Sequence, residues 1–284
     1  MLLFFIEQVS RRRSKNQRQP GLGRYRRLNP YVLKWWQKLI ALIICLIPIG
    51  LGFIIPAINL LRMALRHLDR LNLQLLLYVR NSFSLALASA LLAVFIALIL
   101  AYGLRLRPTP LNKILSRIAA IGYAVPGAVI AVGVLFFIGS LNQQLPKALM
   151  ISGIASLIFA YLVRFLAVAY GTVESSLLKI TPNLDDAARN LGRRTWQILY
   201  QIHIPLLRGS LFSAILLVFV DVIKELPASL IVRPFNFDTL AIRVYRLASD
   251  ERLAEASVLA LIIVLVGLIP VIVLSLAIAR SRDN

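Results

Sequence analysis

The chain holds one cysteine, Cys45, two histidines, His67 and His203, and 12 acidic residues against 32 lysines and arginines. Each scarcity excludes something. A lone cysteine cannot close an intrachain disulfide. One cysteine and two histidines cannot assemble a histidine/cysteine metal cluster. The phosphate-cradling pattern G-x-x-x-x-G-K-S/T is missing, which argues against ATP binding of that kind on this chain. No nucleophile, metal or acid–base constellation supports a membrane-embedded enzyme, and no cofactor is expected.

What the chain has instead is apolar sequence. Of its 284 residues 59% are hydrophobic, and the mean hydropathy is +0.80. Soluble domains run at about 45–50% apolar, so the simplest class is an all-α protein that crosses a membrane several times. A bilayer core needs about 20 apolar residues in helical form. Leu39–Leu61, Asn81–Leu104, Ile118–Ile138 and Ala256–Ala279 meet this without a charge. Ala148–Thr172 meets it with Arg164 inside, and Leu206–Val232 with Asp221, Lys224 and Glu225 beyond its first turn. Six transmembrane helices are therefore expected, in a domain over 38–284 preceded by a basic tail over 1–37. Met1–Ile6 is apolar but too short to cross.

The net charge of +20 raises the question of nucleic acid, but its distribution answers differently. With the N-terminus inside, the inner segments collect 21 Lys and Arg and the outer ones 9, which is the asymmetry that orients membrane proteins. The outer loop 231–255 also carries Asp238, Asp250, Glu251 and Glu255. Both termini and the long loop 173–208 are thus expected in the cytoplasm. The tail RRRSKNQRQPGLGRYRR then acts as a topology determinant resting on anionic membrane lipid, with no nucleic-acid partner. Trp35 and Trp36 stand where an interfacial aromatic belt is expected.

Loop 173–208 is polar yet patterned as a helix. Thr181-Pro182 predicts a helix start, and Asp185 and Asp186 suit the positive end of the helix dipole. Leu184, Ala188, Leu191, Thr195, Ile198 and Ile202 recur at helical spacing and predict one less polar stripe. Gly192 allows a bend or a close backbone approach, and Pro205 is expected to break the chain before the next span. Periodicity alone leaves two readings about equal: a helix lying on the inner leaflet, or a docking site for another protein.

The residues themselves carry a resemblance. Asp186-Ala187-Ala188, three residues, Gly192, nine residues and Ile202-x-Ile204-Pro205 resemble the E-A-A-x3-G-x9-I-x-L-P motif of permease subunits of binding-protein-dependent ABC importers, with Asp for Glu and Ile for Leu. The resemblance implies an ABC type I importer permease-like fold in which this loop is a coupling helix docking on an ATPase subunit. It assigns ATPase coupling to Asp186, Ala187, Ala188, Gly192, Ile202, Ile204 and Pro205. The segments at 123–134 (YAVPGAVIAVGV), 161–170 (YLVRFLAVAY) and 221–257 are similar to ferric-iron permeases of this class. Those permeases commonly fuse two six-span halves, and this chain resembles the C-terminal half, its first residues resembling the end of the preceding half.

Four charges remain as pathway or gate candidates, because a charge deep in a span costs at least about 2.5–3.5 kcal/mol. Arg164 either snorkels to the inner interface or pairs inside the bundle. Asp221, Lys224 and Glu225 are spaced to share one helix face toward the outer side. Pro126, Gly127 and Gly133 suit a kinked, closely packed helix.

The expected function is a non-enzymatic permease subunit of an ATP-driven importer in the bacterial inner membrane. Ferric iron from a periplasmic binding protein is the expected cargo, with an ABC ATPase subunit dimer and a second permease half as further partners. Permeases for thiamine, a polyamine or another small solute are the nearest alternatives. An ion-coupled secondary transporter using Asp221, Glu225 and Arg164 is the alternative of another mechanistic class.

Overall fold

A computed structural model describes residues 33–66, 73–144, 146 and 151–283. The expectations for most of the basic tail, for Met1–Ile6 and for His67 lie outside the described residues. Among the described residues every regular element is helical. Six helices are long and apolar enough to cross a membrane: Trp35–Leu65, Gln74–Leu106, Gly127–Gln144, Gly153–Leu177, Thr195–Ile223 and Leu253–Val273. The expected number of spans holds; several of their boundaries move.

The chain divides into two compact units, Met1–Phe53 and Ile54–Asn284. The first contains α1 (Trp35–Ile49), whose first turn is closed where the Lys34 amide donates to the Gln37 side chain at 2.9 Å. None of its residues is buried, and a helix that is apolar all round requires lipid or another chain to cover it.

The second unit contains α2 (Ile55–Leu65), α3 (Leu73–Leu106), α4 (Pro110–Ile121), α5 (Gly127–Gln144), α6 (Gly153–Leu177), α7 (Pro182–Asn190), α8 (Thr195–Ile198), α9 (Ile204–Ile223), α10 (Pro227–Val232), α11 (Leu240–Ser249) and α12 (Leu253–Asp283). Its centre is the mutual packing of α3, α6 and α9. Ala86, Ala90, Ala93, Ala97 and Ala101 recur every three or four residues along α3 and are all buried. Small side chains at that spacing let helix backbones approach where no hydrophobic force acts between helices in lipid. Tyr161, Leu157, Val173 and Val218 fill the spaces between them.

The expected third span, Ile118–Ile138, is not one helix. α4 ends at Ile121, a 3-10 turn covers Gly122–Ala124, and Pro126 precedes α5. Gly122 explains the break: a Cβ there would run into the carbonyl oxygen of Val163, so only glycine lets this turn lie against α6. α4 starts with Thr109, which accepts from the Asn112 amide at 3.3 Å, and with Pro110 in the first turn.

The fifth expected span, Leu206–Val232, is also divided. The helix ends at Ile223, and the chain turns at Lys224–Leu226 before the short α10, which packs against α5 and α6. At the other end Pro205 does not interrupt the chain. A π-helical turn over Leu199–His203 runs directly into α9. The widened turn accommodates a proline that cannot donate and whose ring crowds the preceding turn.

Candidate functional site

The polar loop after α6 folds as α7, a turn and α8. Thr181 precedes the helix as expected, but its side chain makes no capping bond. Its carbonyl accepts instead from Arg105 Nη2 at 3.3 Å. Arg105 stands at the C-terminal end of α3 and donates further, from Nη1 to the carbonyls of Leu177 at 2.8 Å and Ile180 at 2.9 Å. It thereby gathers the carbonyls that the end of α6 leaves without helical partners.

Arg105 Nε donates to Asp185 Oδ2 at 2.8 Å, and the other carboxylate oxygen, Oδ1, lies 2.8 Å from His203 Nε2. Asp185 and His203 are both buried. Tyr102, one turn before Arg105, donates to the Thr195 carbonyl at 3.0 Å and meets the His203 ring edge-on, with centroids 5.3 Å apart. Three elements, α3, α7 and the π turn, are thus fastened through one carboxylate. Charge-assisted hydrogen bonds of this kind are about twice as strong as neutral ones.

Of the expected coupling residues, Asp186, Ala187, Gly192 and Pro205 are exposed, Ala188 is buried, and Ile202 and Ile204 are half-buried. Asp186 is within 3.5 Å of Arg189, an ion pair between two exposed side chains. Gly192 has φ +78 and nothing within 4 Å of a Cβ position. It serves the bend and not a close approach, because the left-handed backbone is what excludes other residues.

That bend overturns the expected stripe. α7 and α8 are separate helices, so the phase of one does not carry into the other. Ala188 and Ile198 face inward together with Asp185 and His203, whereas Leu184 and Leu191 are exposed, Leu191 by 82%. Trp196 and Tyr200 stack with centroids 5.6 Å apart and are 67% and 60% exposed. Leu184, Leu191 and the Trp196–Tyr200 stack are therefore exposed along the loop, as Asp186 and Ala187 are.

The intramembrane charges regroup as well. Asp221 pairs with Lys224 at 2.8 Å, one turn on. Glu225 leaves that face because the helix has ended, and it is buried against α6. Its Oε2 lies 3.4 Å from Arg164 Nε, and its Oε1 accepts from the Ala228 amide at 3.3 Å. Arg164 is eleven residues into α6, about 16 Å from its N-terminal end at 1.5 Å per residue. It pairs inside the bundle and does not snorkel. Next to it Tyr161 hydrogen-bonds Ser229, whose hydroxyl donates to the Glu225 carbonyl at 2.6 Å. A Cβ at Gly127 would run into Arg164 Nη1 and lie 2.6 Å from Glu225 Oε1.

In the loop 231–255, Asp238 is held by Arg233 Nη1 at 2.7 Å and Arg246 Nη1 at 3.1 Å, and Thr239 caps α11. The Leu240 amide donates to Ser82 on α3 at 2.7 Å. The loop 231–255 is thus a folded element fixed to the helix core.

Residues 93–283 match the family described as binding-protein-dependent transport system inner membrane component. The Fe(3+)-transport system permease protein FbpB 2 of Haemophilus influenzae is 30% identical over 194 residues, 68% of this chain and 37% of that protein. The chain therefore spans well under half the length of that relative. The putative 2-aminoethylphosphonate transport system permease protein PhnV of Salmonella typhimurium is 23% identical over 188 residues, 66% of this chain and 69% of its own length. Among solved structures, a chain of a bacterial alginate ABC transporter in complex with an alginate pentasaccharide-bound periplasmic protein superposes with a TM-score of 0.67 at 14% identity. The match covers 84% of this chain and 92% of that one, and it establishes likeness of fold.

Proposed function

The chain belongs to the family of inner membrane components of binding-protein-dependent transport systems, and we propose that it forms half of an ATP-driven import pathway for ferric iron. A periplasmic binding protein delivers the cargo to the outer loops, and 231–255 is the candidate contact. A second permease half, another chain or another copy, completes the pathway. A dimer of ATPase subunits supplies the work, and ATP hydrolysis takes place there. Both termini and α7–α8 face the cytoplasm.

One observation carries the coupling assignment: the segment from α7 to the π turn exposes Leu184, Leu191, the Trp196–Tyr200 stack and Asp186, while Asp185 fastens it to α3. An exposed apolar surface on a rigidly held helix suits a protein partner that must push on it. Iron as cargo is supported by the 30% identity to a ferric permease, and the similarity to a phosphonate permease marks the nearest competing cargo class.

The test is uptake in vesicles that contain the chain with its ATPase and binding protein. Ferric uptake is expected to require ATP and to vanish when Gly192 is replaced by a bulky residue or Asp186 by Lys, while membrane insertion and basal ATPase activity persist. Uptake that survives ATP depletion and collapses with a protonophore would overturn the reading in favour of an ion-coupled transporter.

A further inference from the structure

The Arg164–Glu225 centre is not a fully satisfied ion pair. Arg164 Nε and Nη1 are both buried, and neither has a hydrogen-bond partner. The Nε–Oε2 separation of 3.4 Å gives Coulomb attraction without a good hydrogen bond. Glu225 is better served. Its Oε1 has the Ala228 amide, its Oε2 faces the guanidinium, and its carbonyl has Ser229. The unmet demand at this centre is for an acceptor. A buried charged donor without one is costly, and such a group calls for an unplaced water, ion or ligand.

The surroundings favour negative charge. Gly127, the first residue of the 18-residue α5, abuts both side chains, so the positive end of that helix dipole faces the pair. Discontinuous helices that end at mid-membrane meet anionic cargo in this way in other transporters. A bare polycation would meet Arg164 and the helix end with like charge. A bare trivalent cation would find one carboxylate beside a guanidinium, too few oxygens for a hard ion.

Resting on the import reading above, we propose that this centre is a cargo subsite for an oxyanion, a phosphonate, phosphate or carboxylate. The incoming group hydrogen-bonds Arg164 Nε and Nη1 by displacing the Glu225 carboxylate, which occupies the position as a tethered stand-in. The oxyanion arrives either as the cargo itself or as a ligand carried on a ferric ion. Glu225 then holds the empty pathway neutral and is released when cargo arrives.

The experiment is equilibrium binding of radiolabelled inorganic phosphate to the full chain in nanodiscs, without ATPase or binding protein, so that it succeeds or fails independently of ATP-coupled uptake. Unlabelled 2-aminoethylphosphonate, ferric citrate and spermidine serve as competitors. Saturable phosphate binding is expected in the wild type. Arg164→Gln weakens it about tenfold or more, as loss of hydrogen bonds to a charged group implies, and Glu225→Gln tightens it because the competing carboxylate is gone. Competition by 2-aminoethylphosphonate identifies free oxyanion cargo, and competition by ferric citrate alone identifies an oxyanion held on iron. A purely structural pair predicts the opposite for Glu225→Gln, no gain or a loss. No phosphate binding in the wild type, equal binding in Arg164→Gln, or displacement by spermidine alone each overturns the proposal. The sign of the Glu225→Gln effect keeps the test decisive if Arg164→Gln does not insert.

Discussion

Replacing Asp185 with alanine removes the one carboxylate that fastens three elements, and its cost follows from the geometry. Asp185 accepts from Arg105 and lies against His203, both at 2.8 Å, with its side chain 8% exposed. Removing one partner of a buried ion pair costs about 3–5 kcal/mol, mainly because the other charge is left uncompensated. Arg105 keeps the carbonyls of Leu177, Ile180 and Thr181, so the lower end applies, about 3 kcal/mol. The loss falls on the local equilibrium between the docked and detached loop, because α3 and α6 keep their own packing. Three kcal/mol corresponds to about a 100-fold rise in the detached population. Hydrogen exchange in nanodiscs is the assay: amides in 182–203 lose about two decades of protection, while those in the core of α3 and α6 keep theirs. Asp186→Ala is the internal control, since its ion pair with Arg189 is exposed on both sides and its loss is worth about 0.5 kcal/mol or less. Equal protection of 182–203 in Asp185→Ala and the wild type would refute the clamp. Equal loss in the Asp185 and Asp186 variants would refute the assignment of the two acids to opposite faces.

Two glycines give further predictions with different signatures. Gly192→Val forces a β-branched residue to φ +78 and is expected to destabilise the bend by about 1–2 kcal/mol although nothing crowds it, while Gly192→Asn is tolerated; exchange in 182–203 measures both. Gly122→Ala drives a Cβ into the Val163 carbonyl and is expected to lower the thermal midpoint of the solubilised chain by the equivalent of about 1–3 kcal/mol. Gly133→Ala, with open space around it, leaves that midpoint within about 0.5 kcal/mol of the wild type.

The spans were legible because their signal is additive. Twenty apolar residues in a row point to a membrane whatever their order, and each of the six windows overlaps a helix long enough to cross, although two of them also run through a break. The breaks were legible only in part: Pro126 and Gly127 suited a kinked third span, but what each break packs against depends on a neighbour distant in sequence. Gly122 is required by the backbone of Val163, forty-one residues on, and nothing near Gly122 announces that contact. The stop after Ile223 has a local sign in Pro227, four residues on, but the partner it gives Glu225 was not legible. It leaves Glu225 in a turn where it reaches Arg164 on another helix. Pro205 misled in the other direction: it reads as a breaker, and a π turn absorbs it.

The site was legible where the signal is a spacing and illegible where it is a burial. The pattern from Asp186 to Pro205 located the loop, yet the residue that fixes the loop is Asp185, its neighbour, which sequence reasoning assigned to the helix dipole. The distinguishing signal was present. Asp185 stands three residues before Ala188, on the face that packs inward, and a carboxylate on an inward face requires a cation. Arg105 was that cation, hidden among the loop charges that were counted for topology. The same logic separates Asp221 from Glu225. Their spacing joins them on an ideal helix, but Asp221 keeps a largely exposed Lys224 as its partner while Glu225 is 7% exposed and must find Arg164. In an apolar chain with few acids, each acid that turns inward selects its arginine. Pairing inward-facing acids with span-end or mid-span arginines, before any appeal to spacing, would have recovered both centres.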